Sequence, residues 1–78
     1  MTDLRHIFRV VAWPEGAQWL ADVPELPGAQ TFAAAREELD HQVRSVIALV
    51  LDLPGGAEGQ LNLHYEWWPS DPRRPDWR

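Results

Sequence analysis

Carboxylates are the side chains of this sequence best able to do chemistry, because Asp and Glu together number 12 in 78 residues. Carboxylates that converge on two divalent ions form the machinery of metal-dependent nucleases, since the ions neutralise charge on the attacking and leaving oxygens. That chemistry needs acids on a core element, but Asp3 precedes the first predicted strand and no acid lies within it. Glu37, Glu38 and Glu66 fall on outer or flanking positions. We therefore interpret the acids as a solvated surface and expect neither a metal site nor catalysis.

Three histidines are the other candidate metal ligands or acid-base groups. His6 and His64 could become neighbours if the first and last strands pair, which would give half of a metal site or a pH-sensitive contact, and no third ligand is evident. Neither Ser45 nor Ser70 has a nearby base and orienting acid. The glycine pair at 55–56 lacks the lysine and spacing of a phosphate loop. The sequence predicts no catalytic residue and no cofactor.

Chain length and composition limit the kind of protein. A domain of 78 residues buries about 60% of the surface that its unfolded chain exposes, so we expect one domain with one modest core. The absence of cysteine removes the disulfides of small secreted domains and favours a reducing cytoplasm. Residues 1–6 show no secretory signal, and no apolar run reaches membrane-spanning length. We expect a soluble, cytoplasmic protein that does not enter a membrane.

Charge is distributed unevenly along the chain. All seven basic residues are arginines, and residues 1–67 hold four of them against ten acids, a net charge of −6. Residues 68–78 hold three arginines against two acids, a net charge of +1. An acidic body repels phosphate backbones, so we expect no direct nucleic-acid binding. A basic protein partner fits this body better.

Hydrophobic patterning predicts three strands before the only helix. β-branched and aromatic residues predict the first strand over residues 4–13, and alternation predicts the second over residues 18–23, after a turn at residues 14–16. These two strands should pair as a hairpin. Two prolines and a glycine in residues 24–28 then force a turn before a short edge strand over residues 29–33.

The helix is the clearest predicted element, from about Arg36 to Asp52. Its apolar residues recur at i, i+4, i+7, i+8 and i+11, which places them within one arc. They are Leu39, Val43, Val46, Ile47 and Val50. Residues 53–56 end the helix, and residues 60–67 alternate as a last strand.

These elements predict an α+β domain of the order β-β-β-α-β. A helix of this length spans about 25 Å, as does an eight-residue strand, so one helix can cover one face of the sheet. The crossover through the helix makes the fourth strand a parallel neighbour of the first. We therefore predict the sheet order 3-2-1-4, with one helix packed on one face.

The face opposite the helix is the first candidate binding surface. Ile7, Val11, Trp13 and Leu20 should project from it. Such a face is too apolar to be merely solvated, and apolar patches of this kind usually become subunit or partner interfaces. The alternative is that strand twist lets these side chains shelter one another.

The C-terminal residues 68–78 form a second candidate surface, which we interpret as an arm separate from a domain of residues 1–67. Prolines at 69, 72 and 75 recur with the period of a polyproline II helix. Trp and Arg are frequent interface anchors. The arm supplies Trp68, Arg73, Arg74 and Trp77. It could lie across a partner or a sister subunit, and the alternative is a disordered end.

Residues 19–31, followed by Glu37 and Glu38 and by a helix ending in residues 46–49, resemble the HicB antitoxin family. In that family a strand runs into a Val-Pro-Asp/Glu-Leu-Pro-Gly turn, here residues 23–28, then into a short strand and a Glu-Glu helix. The resemblance extends over residues 6–67. It implies a truncated ribonuclease-H-like fold, in agreement with the predicted strand order.

The resemblance also implies a function. HicB antitoxins neutralise a small, basic, messenger-RNA-cleaving toxin, so a HicA-like toxin is the implied partner of a homodimer or a higher homo-oligomer. Many members carry a DNA-binding segment, but no helix-turn-helix or ribbon-helix-helix sequence follows here. Ala35 replaces the usual capping Thr or Ser, which forgoes roughly 1 kcal/mol of helix capping. The alternative is a solitary HicB-like scaffold or regulatory subunit, a homo-oligomer without a toxin.

Overall fold

The computed structural model describes residues 6–70 of the chain. The predictions that fall on residues 1–5 and 71–78, including those for Arg73, Arg74 and Trp77, lie outside this range. The described elements are β1 (Ile7–Glu15), β2 (Gln18–Asp22), β3 (Gln30–Ala33), α1 (Arg36–Leu51), a short 3₁₀ helix (Ala57–Gln60) and β4 (Asn62–Trp67). Among them, no helix is long and apolar enough to cross a membrane.

The four strands form one sheet in the order β3-β2-β1-β4, with α1 packed on it. β1 runs antiparallel to β2 and parallel to β4, and β2 runs antiparallel to β3. The predicted α+β architecture and the order 3-2-1-4 are confirmed. Because β4 returns to the side of β1 away from β2, β1 becomes a central strand and β4 an edge strand.

The core lies between α1 and the sheet. Leu39, Val43 and Ile47 on successive helical turns have no exposed surface. Burial of each such side chain contributes about 1.5–3 kcal/mol. They join buried residues of the sheet and its connections, namely Phe8, Val10, Ala12, Ala21, Val23, Ala29, Ala33 and Leu61. The prediction is wrong for Val50, which is 40% exposed, because the i, i+4 row of core residues continues after Ile47 at Leu51 and leaves Val50 on its flank.

The turn between β1 and β2 is tighter than predicted. Pro14 and Glu15 belong to β1, and the loop consists of Gly16 and Ala17 between the paired Glu15 and Gln18. Gly16 has a φ of +63°, which suits the first central position of a type II′ turn. Such a turn matches the twist of the strands it joins, so the hairpin register follows from the glycine.

Two consecutive β-turns connect β2 to β3. The Leu26 N–H donates to the Val23 carbonyl at 2.9 Å, and the Ala29 N–H donates to the Leu26 carbonyl at 3.0 Å. A proline stands at the second position of each turn, and Gly28, with a φ of +89°, stands at the third position of the second turn. The Val23 N–H closes the loop on the Ala29 carbonyl at 3.0 Å. This is the physical role of the run Val-Pro-Glu-Leu-Pro-Gly.

The helix ends differ in how they are capped. Ala35 is the N-cap and makes no side-chain capping bond, as its residue type predicts. At the other end Asp52 takes a left-handed φ of +54°, so no glycine is used there. The Asp52 N–H donates to the Leu49 carbonyl at 3.3 Å and the Leu53 N–H donates to the Ala48 carbonyl at 2.9 Å. These bonds satisfy carbonyls that the helix leaves without intrahelical partners.

The 3₁₀ helix was not apparent from the sequence pattern, and it shortens β4 to Asn62–Trp67. Arg44 fixes it to α1, because its guanidinium Nη1 donates to the carbonyls of Glu58, at 3.0 Å, and of Leu61, at 2.8 Å. An arginine on the predicted solvent side of α1 is thus half-buried and holds the start of β4.

Replacing Gly28 with alanine should lower the free energy of unfolding by about 1–2 kcal/mol, because an L residue is strained at positive φ. Gly55→Ala is the matched control. A methyl group would meet no atom within 4 Å at either position, and of these two glycines only Gly28 has a positive φ. We expect Gly55→Ala to leave stability unchanged or slightly higher. Urea denaturation compares the two, and equal destabilisation would contradict the turn assignment.

Candidate protein-binding site

The sheet face away from α1, which we call the open face, carries a row of large apolar side chains. Trp13 of β1 lies opposite Leu20 of β2, and Leu20 lies opposite Phe32 of β3. On the other side of β1, the Trp68 N–H donates to the Ala12 carbonyl at 2.8 Å, which places Trp68 beside Trp13 in the ladder. We call Phe32, Leu20, Trp13 and Trp68 the apolar row. It crosses all four strand positions of the sheet.

The apolar row is exposed at both ends and buried at its centre. Phe32 is 63% exposed and Trp68 is 41% exposed, whereas Trp13 is only 1% exposed and Leu20 is half-buried. Ile7, at the start of β1 on the same face, is 61% exposed. Exposed apolar side chains grouped on one face are typical of binding surfaces.

The prediction that Val11 and Trp13 project openly from this face is wrong. Val11 is 4% exposed, since its place on the central strand puts it between Asp22 of β2 and Glu66 of β4. Trp13 is enclosed for the same reason, with Leu20 beside it on β2. For these two residues the alternative holds, in which neighbouring side chains shelter one another. Partner binding stays a prediction for the accessible residues, Ile7, Leu20 and Trp68.

Phe32 is the candidate that the sequence reading did not single out. It lies on the open face because its neighbour Ala33 is buried in the core, and successive side chains of a strand point to opposite faces. The alternation of the third strand is enough to predict which face Phe32 occupies. It is not enough to predict how exposed Phe32 is, because that depends on β3 being at the edge of the sheet.

A bidentate ion pair crosses the open face from β1 to β4. Arg9 donates from Nε to Glu66 Oε2 at 2.5 Å and from Nη2 to Glu66 Oε1 at 3.0 Å. These hydrogen bonds, with smaller effects of Trp68 and His64, hold the pKa of Glu66 below its usual value. The same pairing raises the pKa of Arg9. Both side chains are substantially exposed, so the fork orients groups on this face more than it stabilises the fold.

Glu25 contacts the first half of β1, where β2 provides no paired residue. The Arg9 N–H donates to Glu25 Oε1 at 3.4 Å, and His6 Nε2 lies 2.5 Å from Glu25 Oε2. His6 therefore lies against Glu25, whereas His64 lies opposite Arg9 in the ladder, so the two histidines are not the neighbours that strand pairing suggested. Within residues 6–70, no group of three His, Asp or Glu side chains could hold a metal ion.

The surroundings of the apolar row are acidic. Residues 6–70 contain nine acidic side chains and three arginines, a net charge of −6 with neutral histidine. Arg9 is paired with Glu66, which leaves Glu15 and Asp22 as the charged side chains of the paired strands on this face, with Glu25 at its rim. The site therefore combines exposed apolar groups with negative potential, which suits a basic protein surface.

A second cluster lies on the helix side of the sheet. The Arg36 guanidinium carbon is 4.0 Å from the Trp67 ring centroid and 5.7 Å from that of Trp19. Tyr65 stacks on Trp67 with ring centroids 5.3 Å apart. A cavity of about 300 Å³ borders this cluster and Asp40. Arg36 is the first residue of α1, and its guanidinium lies over the rings of Trp67 on β4 and Trp19 on β2. These cation–π contacts fix the start of α1 to the sheet.

A hydrogen-bonded chain joins β4 to α1 beneath this cluster. The Tyr65 hydroxyl donates to Asp40 Oδ1 at 2.7 Å, and Arg44 Nε donates to Asp40 Oδ2 at 2.8 Å. Burial acts to raise the pKa of Asp40, but these two hydrogen bonds outweigh it and hold that pKa below its usual value. Burial and the nearby Asp40 carboxylate raise the pKa of Tyr65.

This chain is similar to a protein of known sequence from a thermophilic bacterium. A Thermotoga maritima protein named UPF0150 protein is 33% identical over 57 residues, which cover 70% of this chain and 76% of the relative. This chain belongs to the UPF0150 family. The name of the UPF0150 relative states no activity, substrate or partner. No family model matches the chain, and no solved structure matches it.

Tyr65→Phe should lower the free energy of unfolding by about 1 kcal/mol at pH 7, because it removes the hydrogen bond to Asp40. The folded pKa of Asp40 is depressed, so its contribution is present above its unfolded pKa of about 3.9 and is lost as pH falls through the folded pKa. The difference between wild type and variant should therefore shrink as pH falls below about 3.9. Urea denaturation across this range measures it, and a difference independent of pH would contradict the assignment.

Proposed function

We propose that this chain is an antitoxin-type protein that oligomerises and neutralises a small, basic, RNA-cleaving toxin by covering its active surface. The observation that carries the proposal is the apolar row, with Phe32 and Trp68 exposed at its ends. Accessible aromatic side chains are frequent anchors of protein interfaces. Their position on an acidic domain selects a basic partner.

The partner class comes from the resemblance to HicB antitoxins. That resemblance rests on residues 19–31, and the turn pair at residues 23–28 carries its most specific part. Membership in the UPF0150 family supports a common fold and is neutral on the partner. The toxin is therefore proposed from the sequence motif, and its docking surface from the apolar row.

Binding is proposed here in place of catalysis. On the open face Arg9 pairs with Glu66, and at its rim Glu25 pairs with His6. Such pairs orient side chains and leave the carboxylates engaged, whereas a catalytic base needs a nucleophile or a water to act on. The exposed apolar side chains of this face, Ile7, Phe32 and Trp68, suit shape-complementary docking.

Charge and apolar contact have different roles in this proposal. An acidic surface accelerates encounter with a basic protein by roughly 10- to 1000-fold at low salt, and this gain falls with ionic strength. Once the proteins meet, buried aromatic side chains such as Phe32 supply most of the affinity and slow dissociation. Added salt should therefore slow association more than it speeds dissociation.

The alternative proposal is a solitary HicB-like scaffold or regulatory subunit that forms homo-oligomers without a toxin. The outer edge of β4 favours it, because no strand among residues 6–70 pairs with that edge and two copies can associate through it without a toxin. Co-expression with the product of a neighbouring reading frame separates the two functions. The antitoxin proposal needs that frame to encode a small basic ribonuclease.

Co-expression of this chain should relieve the growth arrest caused by such a neighbouring toxin, and the two proteins should copurify. Phe32→Asp should weaken their binding by about 30-fold or more, because truncating an interface anchor costs about 2 kcal/mol or more. Leu49→Asp is the matched control, since Leu49 is 79% exposed on α1, away from the open face. Growth assays and titration calorimetry measure both effects.

Persistent growth arrest without copurification would refute the antitoxin proposal. Equal weakening by Phe32→Asp and Leu49→Asp would instead refute the apolar row as the docking surface. Both side chains are largely exposed, so neither substitution should unfold the domain, and circular dichroism verifies this.

A further inference from the structure

The outer edge of β4 presents backbone groups that point away from the sheet. The Trp68 N–H donates inward to Ala12, and the backbone groups of successive strand residues point in opposite directions. The N–H and C=O groups of Leu63, Tyr65 and Trp67 therefore point outward. Among residues 6–70, no strand pairs with that side of β4.

Both ends of this outward edge are closed. Arg44 donates to the Leu61 carbonyl at 2.8 Å and so occupies the outward acceptor that precedes Leu63. At the other end Pro69, the next outward position, has no N–H to offer. The available groups are thus those of three alternate residues, with Tyr65 at their centre.

The two edges of the sheet differ in protection. Natural sheets protect edge strands by keeping them short or by placing lysine, proline or bulges on them. β3 is four residues long and follows the proline-rich turn pair. β4 is six residues long, and its sequence Asn-Leu-His-Tyr-Glu-Trp contains no proline, glycine or lysine. An unprotected edge of this kind is suited to pairing with another strand.

We propose that β4 pairs antiparallel with β4 of a second copy of this chain, with Tyr65 on the two-fold axis. This register uses all three outward residues, since Leu63 lies opposite Trp67 of the second copy and Tyr65 lies opposite its own equivalent. A two-fold axis at any other residue leaves outward groups unpaired or directs them at the Arg44-bound carbonyl or at Pro69. The closed ends of the edge therefore select one register.

Side chains on both faces are complementary in this register. On the helix side, Leu63, Tyr65 and Trp67 retain accessible surface, because α1 packs mainly over β2 and β3. Pairing places the aromatic rings of the two copies side by side. On the open face, His64 lies opposite Glu66 of the second copy, a pair that attracts when the histidine is protonated and can hydrogen-bond when it is neutral.

The paired sheet has eight strands in the order 3-2-1-4-4-1-2-3. Both helices lie on one side, and both apolar rows lie on the other. The inference deepens the self-association part of the proposed function and rests on nothing in its toxin-binding part. The occupant is a second copy, because the edge is complementary to itself in backbone groups, ring pairs and charge.

Cysteine cross-linking tests the register, since the chain contains no cysteine of its own. Tyr65→Cys should form a covalent dimer on mild oxidation, because directly opposite residues lie about 5.5 Å apart between Cα atoms, within disulfide range. Leu63→Cys alone should not, since its equivalent lies about 14 Å away along the strands. Leu63→Cys combined with Trp67→Cys should cross-link again. Absence of cross-linking, or equal yields at all positions, overturns the proposal.

Proline substitutions test the edge itself. Leu63→Pro removes an outward N–H without breaking the ladder to β1. The dissociation constant of the dimer, measured by sedimentation, should rise at least about 30-fold. Gln30→Pro is the control, because the inward Ala29 carbonyl makes the next amide, that of Gln30, point outward on β3. It should leave the dimer intact. If Leu63→Pro fails to fold, the cysteine pattern still decides.

The two proposals fail separately. Phe32→Asp should leave the cross-linking pattern unchanged while it weakens toxin capture. Toxin capture by a wild-type chain that stays monomeric overturns the β4 pairing and leaves the toxin-neutralising part of the antitoxin proposal intact. A cross-linked dimer that never captures a toxin supports the β4 pairing and overturns the antitoxin proposal.

Discussion

Parallel pairing of β4 with β1 is the constraint on which the rest of the structure depends. It makes β1 central, which buries Val11 and Trp13 between neighbouring strands. It also brings Glu66 to Arg9 across 57 positions of sequence. Because the same pairing uses only the inner side of β4, no strand of the described part of the chain pairs with the outer side. The buried centre of the apolar row and this unpaired edge of the described sheet are therefore two results of one interaction.

Local periodicity predicted the elements, and chain connectivity predicted their order. The strand alternation and the helical spacing of Leu39, Val43 and Ile47 suffice for the sheet order 3-2-1-4 with one covering helix. Exposure on the open face was predicted less well, because the burial of Val11 and Trp13 depends on strands distant in sequence. The sequence places the first turn at residues 14–16 because proline is a turn signal, although β1 tolerates Pro14 where the ladder to β4 ends.

The most specific part of the family resemblance contributes no residue to the apolar row. The turn pair at residues 23–28 sets the register of β3 through its hydrogen bonds, and its Glu25 accepts the Arg9 amide that β2 does not reach. Its prolines and Gly28 are therefore explained by backbone geometry alone. A motif of this kind identifies a fold reliably, while binding specificity depends on outward side chains such as Phe32 that the motif does not include.

The open face and the β4 edge meet at Glu66. Its carboxylate receives the Arg9 fork, and the proposed two-fold register places His64 of a second copy beside the same side chain. The hydrogen bonds from Arg9 lower the pKa of Glu66, so this carboxylate stays charged to lower pH than usual. Dimer formation would thus add a hydrogen-bonding partner to a group already oriented by the monomer, at little further loss of conformational entropy. The monomer fold prepares the edge for pairing, and the proposed paired sheet would place two apolar rows on the same face, where a dimeric or repetitive partner would gain avidity.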